Sequence, residues 1–115
     1  MIINFACTNV ELEEIVRCGF GLKKTEYAVL MFLLEKNKNM RIVEISTAMK
    51  KERTTIQKVI KSLVGKELVK RGQVNLKTGG YVFVYAPIDK SILKKKTLGI
   101  IEEWVKSAEK AINSW

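Results

Sequence analysis

Residues 42–71 constrain the fold of this chain most, because they contain two short helical patterns separated by a charged tetrad. In the first pattern Ile45, Ala48 and Met49 are spaced i, i+3 and i+4, which predicts one buried stripe on a helix. The second pattern has the same periodicity, and its apolar positions are Ile56, Val59, Ile60 and Leu63. Two consecutive short amphipathic helices predict a helix-turn-helix unit.

The second helix of this pair has a polar face that is typical of a helix that reads a DNA major groove. Side chains near the start of such a helix hydrogen-bond base edges, and cations along its length contact phosphates. The residues that we expect on this face are Arg53, Thr54, Thr55, Gln57, Lys58 and Lys61. A solvated basic helix in an inert bundle has the same pattern, so the helix pair alone leaves both interpretations open.

The net charge of +9 is concentrated on this part of the chain. Residues 1–40 contain five bases and five acids, whereas residues 50–77 contain nine bases and two acids. A positive field of this kind attracts nucleic acids, anionic membranes or acidic protein surfaces. A membrane is the weakest of these candidates, since the longest apolar run, residues 28–34, is about a third of a spanning helix.

Length and composition indicate one folded domain without catalytic machinery. The 115 residues, 47% hydrophobic and 29% charged, lie within the globular range. No signal-peptide pattern opens the chain, so we expect a cytoplasmic protein. There is no histidine, and a lack of activating bases argues against an enzyme; we expect no metal and no cofactor. Cys7 and Cys18 are interpreted as half-buried thiols, with redox sensing as the alternative.

Two helices are predicted before the helix pair. Thr8 and Glu11 form a capping-box pattern, which predicts a helix that contains Cys18 and ends at Gly19. A second helix is predicted from about residue 25 to residue 36, and its apolar residues cover more than one face. Residues 41–42 are a candidate short strand.

Beyond Leu68 the apolar periodicity changes from that of a helix towards that of a strand. Residues 69–76 and 81–86 are predicted strands, and the flexible residues 77–80 between them predict a β-hairpin. Because two strands alone are marginally stable, this hairpin should lie against the helices. Its cations could then reach phosphate or a minor groove; these are Lys70, Arg71 and Lys77. The alternative is that the hairpin only covers the core.

A last helix is predicted after Pro87, with Asp89 or Ser91 as its cap. Its apolar residues alternate in spacings of three and four, which is the pattern of a coiled-coil seam. The seam residues are Leu98, Ile101, Val105, Ala108, Ile112 and Trp115, and Trp104 widens the stripe. So long an apolar stripe must be buried either on its own domain or on a partner. We favour a homodimer, to which the predicted first helix could contribute.

From residue 23 to residue 89, the order helix, helix-turn-helix and β-hairpin resembles the winged-helix fold of MarR-type and TrmB-type transcriptional regulators of bacteria and archaea. The similar segments are TEYAVLMFLLE (25–35) and ERTTIQKVIKSLVGKELVKR (52–71). The second has a polar helix start, an aliphatic stripe and a Leu68-Val69 pair that leads into the wing. The resemblance implies a mainly α, winged-helix domain over residues 1–115, with a core at 23–89 and a dimerisation helix at 90–115.

The chain also departs from these families. The wing, residues 72–87, lacks the Asp-Arg pair that is usual in MarR-type proteins, and Lys50 and Lys51 replace the usual glycine between the two helices. TrmB-type proteins often add a large ligand-binding domain, for which 115 residues leave no room. The resemblance therefore assigns no effector, although a cleft between the dimer helices and the reading heads could hold a small molecule.

We expect a homodimeric, sequence-specific regulator of transcription that binds double-stranded DNA. Its recognition helix, residues 53–64, would enter the major groove, and its wing, residues 70–85, would contact the backbone or minor groove. Two alternatives stay open. The first is a protein-interaction subunit whose basic face binds an acidic partner, and the second is a non-specific architectural DNA-binding protein.

Overall fold

The computed structural model describes all 115 residues. Five α-helices and two antiparallel two-stranded sheets confirm the predicted fold class, mainly α with a small β-hairpin. The elements are β1 (Ile2–Phe5), β2 (Thr8–Glu11), α1 (Leu12–Phe20), α2 (Lys24–Lys36), α3 (Ile42–Met49), α4 (Arg53–Gly65), β3 (Val69–Asn75), β4 (Tyr81–Pro87) and α5 (Lys90–Asn113). The chain divides into two compact units, Lys23–Ile88 and the combination of Met1–Leu22 with Asp89–Trp115.

The Lys23–Ile88 unit has its own hydrophobic core, formed by α2, α3, α4 and the β3–β4 hairpin. Its fully buried side chains are Val29, Leu30, Leu33, Ile45, Ile56, Ile60, Leu63 and Leu68. The stripe predicted for the second helix of the pair is confirmed, because its four apolar residues are all buried on α4. This stripe fixes which side of α4 faces the core and therefore which side faces solvent.

The first helix of the pair, α3, follows its predicted stripe only in part. Ile45 is buried and Met49 is half-buried, but Ala48 is exposed and Ser46 is buried instead. The Ser46 hydroxyl donates a hydrogen bond of 2.6 Å to the carbonyl of Lys51. The spacing of apolar residues could not predict burial of Ser46, because this polar side chain is buried through its hydrogen bond to the turn.

The turn between α3 and α4 contains a strained lysine. Lys50 has φ 55° and ψ 45°, a left-handed conformation that glycine adopts more readily because it has no Cβ. The N–H of Lys51 donates to the Ser46 carbonyl over 3.1 Å. The turn thus keeps the usual geometry of a glycine position although a lysine occupies it.

The short strand predicted at residues 41–42 is wrong in its placement. Met40 forms an isolated antiparallel bridge with Tyr85, through backbone hydrogen bonds of 2.9 and 2.8 Å. Ile42 already begins α3, where the Glu44 carboxylate accepts a 3.0 Å bond from the N–H of Arg41. Residues 41–42 start a helix instead of a strand because the Glu44 side chain satisfies a backbone N–H that the start of a helix would otherwise leave unpaired.

The predicted wing is confirmed as the β3–β4 hairpin. Its register pairs Arg71 with Tyr85 and Asn75 with Tyr81. The reversal uses Gly79 and Gly80 at φ 96° and 77°, and the Leu76 N–H donates to the Gly80 carbonyl over 3.0 Å. Glycines are needed here because both positions lie in a region that other residues rarely adopt.

In the unit formed by Met1–Leu22 and Asp89–Trp115, the predicted first helix begins later than expected. Thr8 does not cap a helix, because it pairs with Phe5 in an N-terminal hairpin, β1–β2. The Glu11 carboxylate lies 3.5 Å from the N-terminal amine of Met1. Pairing of β1 with β2 satisfies more backbone groups than a capping box would, so the spacing of Thr8 and Glu11 was misleading.

The end of α1 also differs from the prediction. Gly19 lies inside the helix, and Gly21 closes it in a left-handed conformation, with φ 66°. A Cβ at Gly19 would lie 3.2 Å from Cγ2 of Ile100, so the glycine permits close packing of α1 on α5. Cys7 and Cys18 are both free and exposed, which corrects the expectation of half-buried thiols.

Candidate nucleic-acid interface

The polar face of α4 is exposed to solvent. Arg53 follows the N-cap residue Glu52, and the exposed residues of the face are Arg53, Thr54, Thr55, Gln57, Lys58 and Lys61. All six α4 residues that were predicted to contact DNA thus lie on the solvent side of the helix. Their contact with DNA stays a prediction.

The structure separates these six residues into two groups. Arg53, Gln57 and Lys61 recur every four residues and line a groove beside the wing. Thr54, Thr55 and Lys58 are exposed but do not line this groove. The recognition helix therefore has one edge next to the wing and a second edge that faces only solvent.

The three cations predicted on the wing do not act as one group. Arg71 lines the groove and lies opposite Tyr85, whereas Lys70 is paired with Ala86 and points to the other face of the hairpin. Lys77 lies in the turn that connects the strands. All three are exposed, but only Arg71 shares a site with α4.

A groove with a volume of about 500 Å³ lies between α4, the start of α3 and the wing. Four cations line it: Arg41, Arg53, Lys61 and Arg71. No carboxylate is among its lining residues, and none of these four cations takes part in a salt bridge. The groove therefore presents uncompensated positive charge, which favours an anionic ligand such as a phosphate backbone.

Sequence reasoning missed Arg41 and Phe83 in this groove. Arg41 occupies the N-cap position of α3, directly after the residue that pairs with β4. Phe83 lies on the wing, and the guanidinium carbon of Arg71 is 4.5 Å from its ring centre. A signal for Phe83 was present, since aromatic residues at 81, 83 and 85 alternate along one strand face.

A buried carboxylate connects α4 to the start of α2. Glu26, which is 6% exposed, accepts hydrogen bonds from the Ser62 hydroxyl and, at 2.7 Å, from the Lys23 N–H. The Lys66 ammonium lies 3.7 Å from it. Burial alone raises the pKa of Glu26, but these two hydrogen bonds and the nearby charge outweigh burial and lower that pKa below its ordinary value. Glu26 is therefore ionised, and in this form it links α4 to the start of α2.

Comparison with known proteins identifies the family. The family model described as sugar-specific transcriptional regulator TrmB matches residues 16–91. The chain belongs to the TrmB family. A protein of unknown function from Methanocaldococcus jannaschii is a relative of this TrmB-family chain, 33% identical over 110 residues that cover 96% of the chain and 83% of the relative.

Solved structures agree with this assignment. A possible transcriptional regulator from Methanosarcina mazei Go1 is 27% identical to this TrmB-family chain, with a TM-score of 0.90. The match covers 100% of this chain and 97% of the Methanosarcina chain. A MarR-family regulator from Rhodococcus sp. RHA1 shares only the fold, with 14% identity and a TM-score of 0.50. The match covers 88% of this chain and 77% of the Rhodococcus chain. The predicted resemblance to winged-helix regulators of the TrmB and MarR type is confirmed, and the chain is a DNA-binding transcriptional regulator.

The predicted dimerisation seam of this TrmB-family chain is uncovered over most of its length. Ile101 and Ala108 are half-buried, whereas Trp115, Ile112 and Leu98 are 101%, 62% and 58% exposed. Val105 and Trp104 are exposed as well, and the Trp104 ring makes an edge-on contact with the Phe5 ring of β1, with ring centres 6.2 Å apart. None of the helices is both long enough and apolar enough to cross a bilayer.

Proposed function

We propose that this TrmB-family chain is a homodimeric, sequence-specific regulator of transcription that works in the cytoplasm on double-stranded DNA. The observation that carries this proposal is the exposed face of α4, with its uncompensated cations directed towards solvent. Residues Arg53–Gly65 would lie in the major groove, where Thr54, Thr55 and Gln57 could hydrogen-bond base edges. Lys58 and Lys61 would contact phosphates.

The wing would complete each half of the interface. Arg71 lies beside α4, so it can contact the backbone next to the major groove that α4 enters. Lys77 in the hairpin turn is exposed and can reach a flanking phosphate or minor groove. Lys70 points to the opposite face and would contribute only through longer-range attraction.

The exposed seam of α5 supports the homodimer. Its apolar residues continue to the last residue of the chain, where Trp115 has no contact with its own chain that reduces its exposure. A parallel or antiparallel pairing of two α5 helices would bury this stripe in both copies at once. A dimer would then present two recognition helices to successive major grooves, about 34 Å apart on a pseudo-palindromic site.

Fluorescence-anisotropy titrations on duplex DNA at several salt concentrations test this function. With roughly six to ten phosphate contacts, log K should fall by about 0.9 per contact for each log unit of salt. Selection of bound duplexes from a random pool should give a palindromic consensus. Similar affinity for all duplexes would instead support an architectural protein, and absence of binding at low salt would overturn the proposal.

Charge reversal on the recognition helix provides the matched variant. Lys58→Glu with Lys61→Glu should abolish duplex binding and leave the helix content measured by circular dichroism unchanged, because both side chains are exposed. Lys24→Glu with Lys38→Glu makes the same change in net charge at exposed positions outside the interface. This control should keep most of the affinity.

The protein-interaction alternative has a separate readout. The same cationic face could bind an acidic protein surface. Tight binding of an acidic peptide, together with no affinity for duplex DNA, would favour that alternative. We favour duplex DNA because the family and the similar solved structure are those of transcriptional regulators.

A further inference from the structure

The wing has one face that combines aromatic and polar side chains in a regular ladder. In the β3–β4 register, Arg71 lies opposite Tyr85, Gln73 opposite Phe83, and Asn75 opposite Tyr81. Because side chains alternate between faces along a strand, all six of these residues share one face of the hairpin. The other face contains Val84, which is buried in the core.

This ladder is exposed where it leaves the groove. Tyr81 is 55% exposed and Phe83 is 37% exposed. If the wing only covered the core, we would expect these large rings to be buried. Their rings contact each other edge to face, with centres 5.3 Å apart. The Arg71 guanidinium lies over the Phe83 ring and adds a flat surface that is positively charged. Both kinds of surface are ones on which nucleic-acid bases stack.

The charge around the ladder suits a phosphate backbone. Residues 68–88 contain no acid, and the groove beside the ladder contributes Arg41, Arg53 and Lys61. An aromatic platform beside a positively charged groove is the combination that binds single-stranded nucleic acid. A purely electrostatic surface for duplex phosphates would have no need of exposed rings.

The spacing of the rings distinguishes separated bases from stacked ones. The centres of the Phe83 and Tyr81 rings are 5.3 Å apart and their planes are inclined by 62°, so bases stacked on the two rings cannot lie parallel to each other. Successive bases in a duplex strand are only about 3.4 Å apart along the helix axis. Neighbouring bases must therefore be unstacked from each other to occupy both positions.

We propose that the aromatic face of the wing, formed by Arg71, Tyr81 and Phe83, binds unpaired bases of single-stranded DNA. The strand's phosphates lie along the cationic groove between the wing and α4. This activity does not depend on the dimer or on duplex recognition. It adds a second kind of DNA contact to the same reading head.

The test uses the full chain and a fluorescently labelled oligothymidylate of about 12 nucleotides. A second probe has the same length and phosphates but carries abasic sites in place of the bases. Stacking predicts that the abasic probe binds about tenfold or more weakly at equal salt. Equal binding of the two probes would show that only phosphates are contacted, and the proposal would fail.

Variants assign the binding to the ladder. Tyr81→Leu and Phe83→Leu should each weaken oligothymidylate binding about tenfold without changing its salt dependence, and Phe83→Trp should retain it. Val74→Ala is the matched control, because it removes exposed apolar surface from the opposite face of the wing. Loss of binding in Val74→Ala to the same extent would indicate damage to the hairpin and contradict the assignment.

Duplex titrations in parallel separate this inference from the proposed function. Tyr81→Leu should weaken single-strand binding by a factor at least about five times larger than any change in duplex affinity. Single-strand binding without any duplex binding would overturn the proposed function and leave this inference intact. Duplex binding together with unchanged single-strand binding in both leucine variants would overturn this inference alone.

Discussion

The hydroxyl of Ser62 on the recognition helix donates a hydrogen bond to the carboxylate of Glu26 at the start of α2. Thirty-six positions separate the two residues in sequence, so this bond ties α4 to a distant part of the Lys23–Ile88 unit. Ser62 is half-buried, whereas Glu26 is 6% exposed. The orientation of the exposed α4 face that we propose to read DNA therefore depends on this polar contact as well as on the apolar stripe.

Replacement of Glu26 by Gln should lower the free energy of unfolding by on the order of 1–2 kcal/mol at neutral pH, because charged hydrogen bonds become neutral ones. The folded-state pKa of Glu26 is lowered, so its contribution to stability is fully present above the unfolded pKa and is lost as pH falls through the folded value. Urea denaturation should therefore show a difference between the two proteins at pH 7 that shrinks at acidic pH. A difference that stays constant down to strongly acidic pH would contradict this role.

Lys50→Gly should stabilise the protein. Lys50 adopts φ 55° in the turn between α3 and α4, and a side chain in this conformation carries a steric cost that glycine avoids. We expect a gain on the order of 0.5–1 kcal/mol, measured as a higher urea midpoint at an unchanged slope. Lys50→Ala is the control, since it removes the charge and keeps the Cβ; a gain as large in this variant would point to charge repulsion rather than backbone strain.

Leu98→Glu with Ile112→Glu should convert the protein into a monomer. Both side chains are more than half exposed in the single chain, so the folded monomer should tolerate the change, while a dimer would have to bury charges in its seam. Light scattering measures the mass, and loss of the paired reading heads should reduce affinity for a palindromic duplex about 100-fold or more.

The matched control for the dimer is Ser107→Glu with Lys110→Gln, which makes the same change in net charge at exposed positions outside the seam of the same helix. This variant should keep the mass and most of the affinity of the parent protein. A parent protein that is already monomeric at micromolar concentration would remove the basis for the predicted dimer.

The parts of the fold that could be predicted from sequence are those in which local periodicity and tertiary burial agree. The stripe of α4 and the strand alternation after Leu68 are both reinforced by the core that they face. The N-terminal hairpin could not be predicted, because its turn contains Ala6 at φ 48° and Cys7, neither of which is a typical turn residue. Thr8 and Glu11 instead matched a helix start by their spacing alone.

The candidate site was predicted as a set of exposed residues but not as a shape. Helical spacing identifies the exposed face of α4, yet it cannot show which edge of that face meets the wing. Arg41 and Phe83 belong to segments that are far apart in sequence, and the Met40–Tyr85 bridge joins those segments. Pairing between distant residues of this kind leaves no periodic signal in either segment.

Arg41→Ala tests whether the groove identified from the structure contributes to DNA binding. Arg41 lines the groove with Arg53 and Arg71, and no carboxylate pairs with its side chain. If its guanidinium contacts one phosphate, the variant should bind duplex DNA more weakly at all sequences, and the slope of log K against log salt should decrease by about 0.9. Arg41→Lys should restore most of the slope, because it keeps the charge, while Lys38→Ala removes an exposed charge from the preceding loop and should change the slope little. Equal effects of Arg41→Ala and Lys38→Ala would show that Arg41 acts only through net charge, and the groove would then have no specific part in holding the DNA backbone.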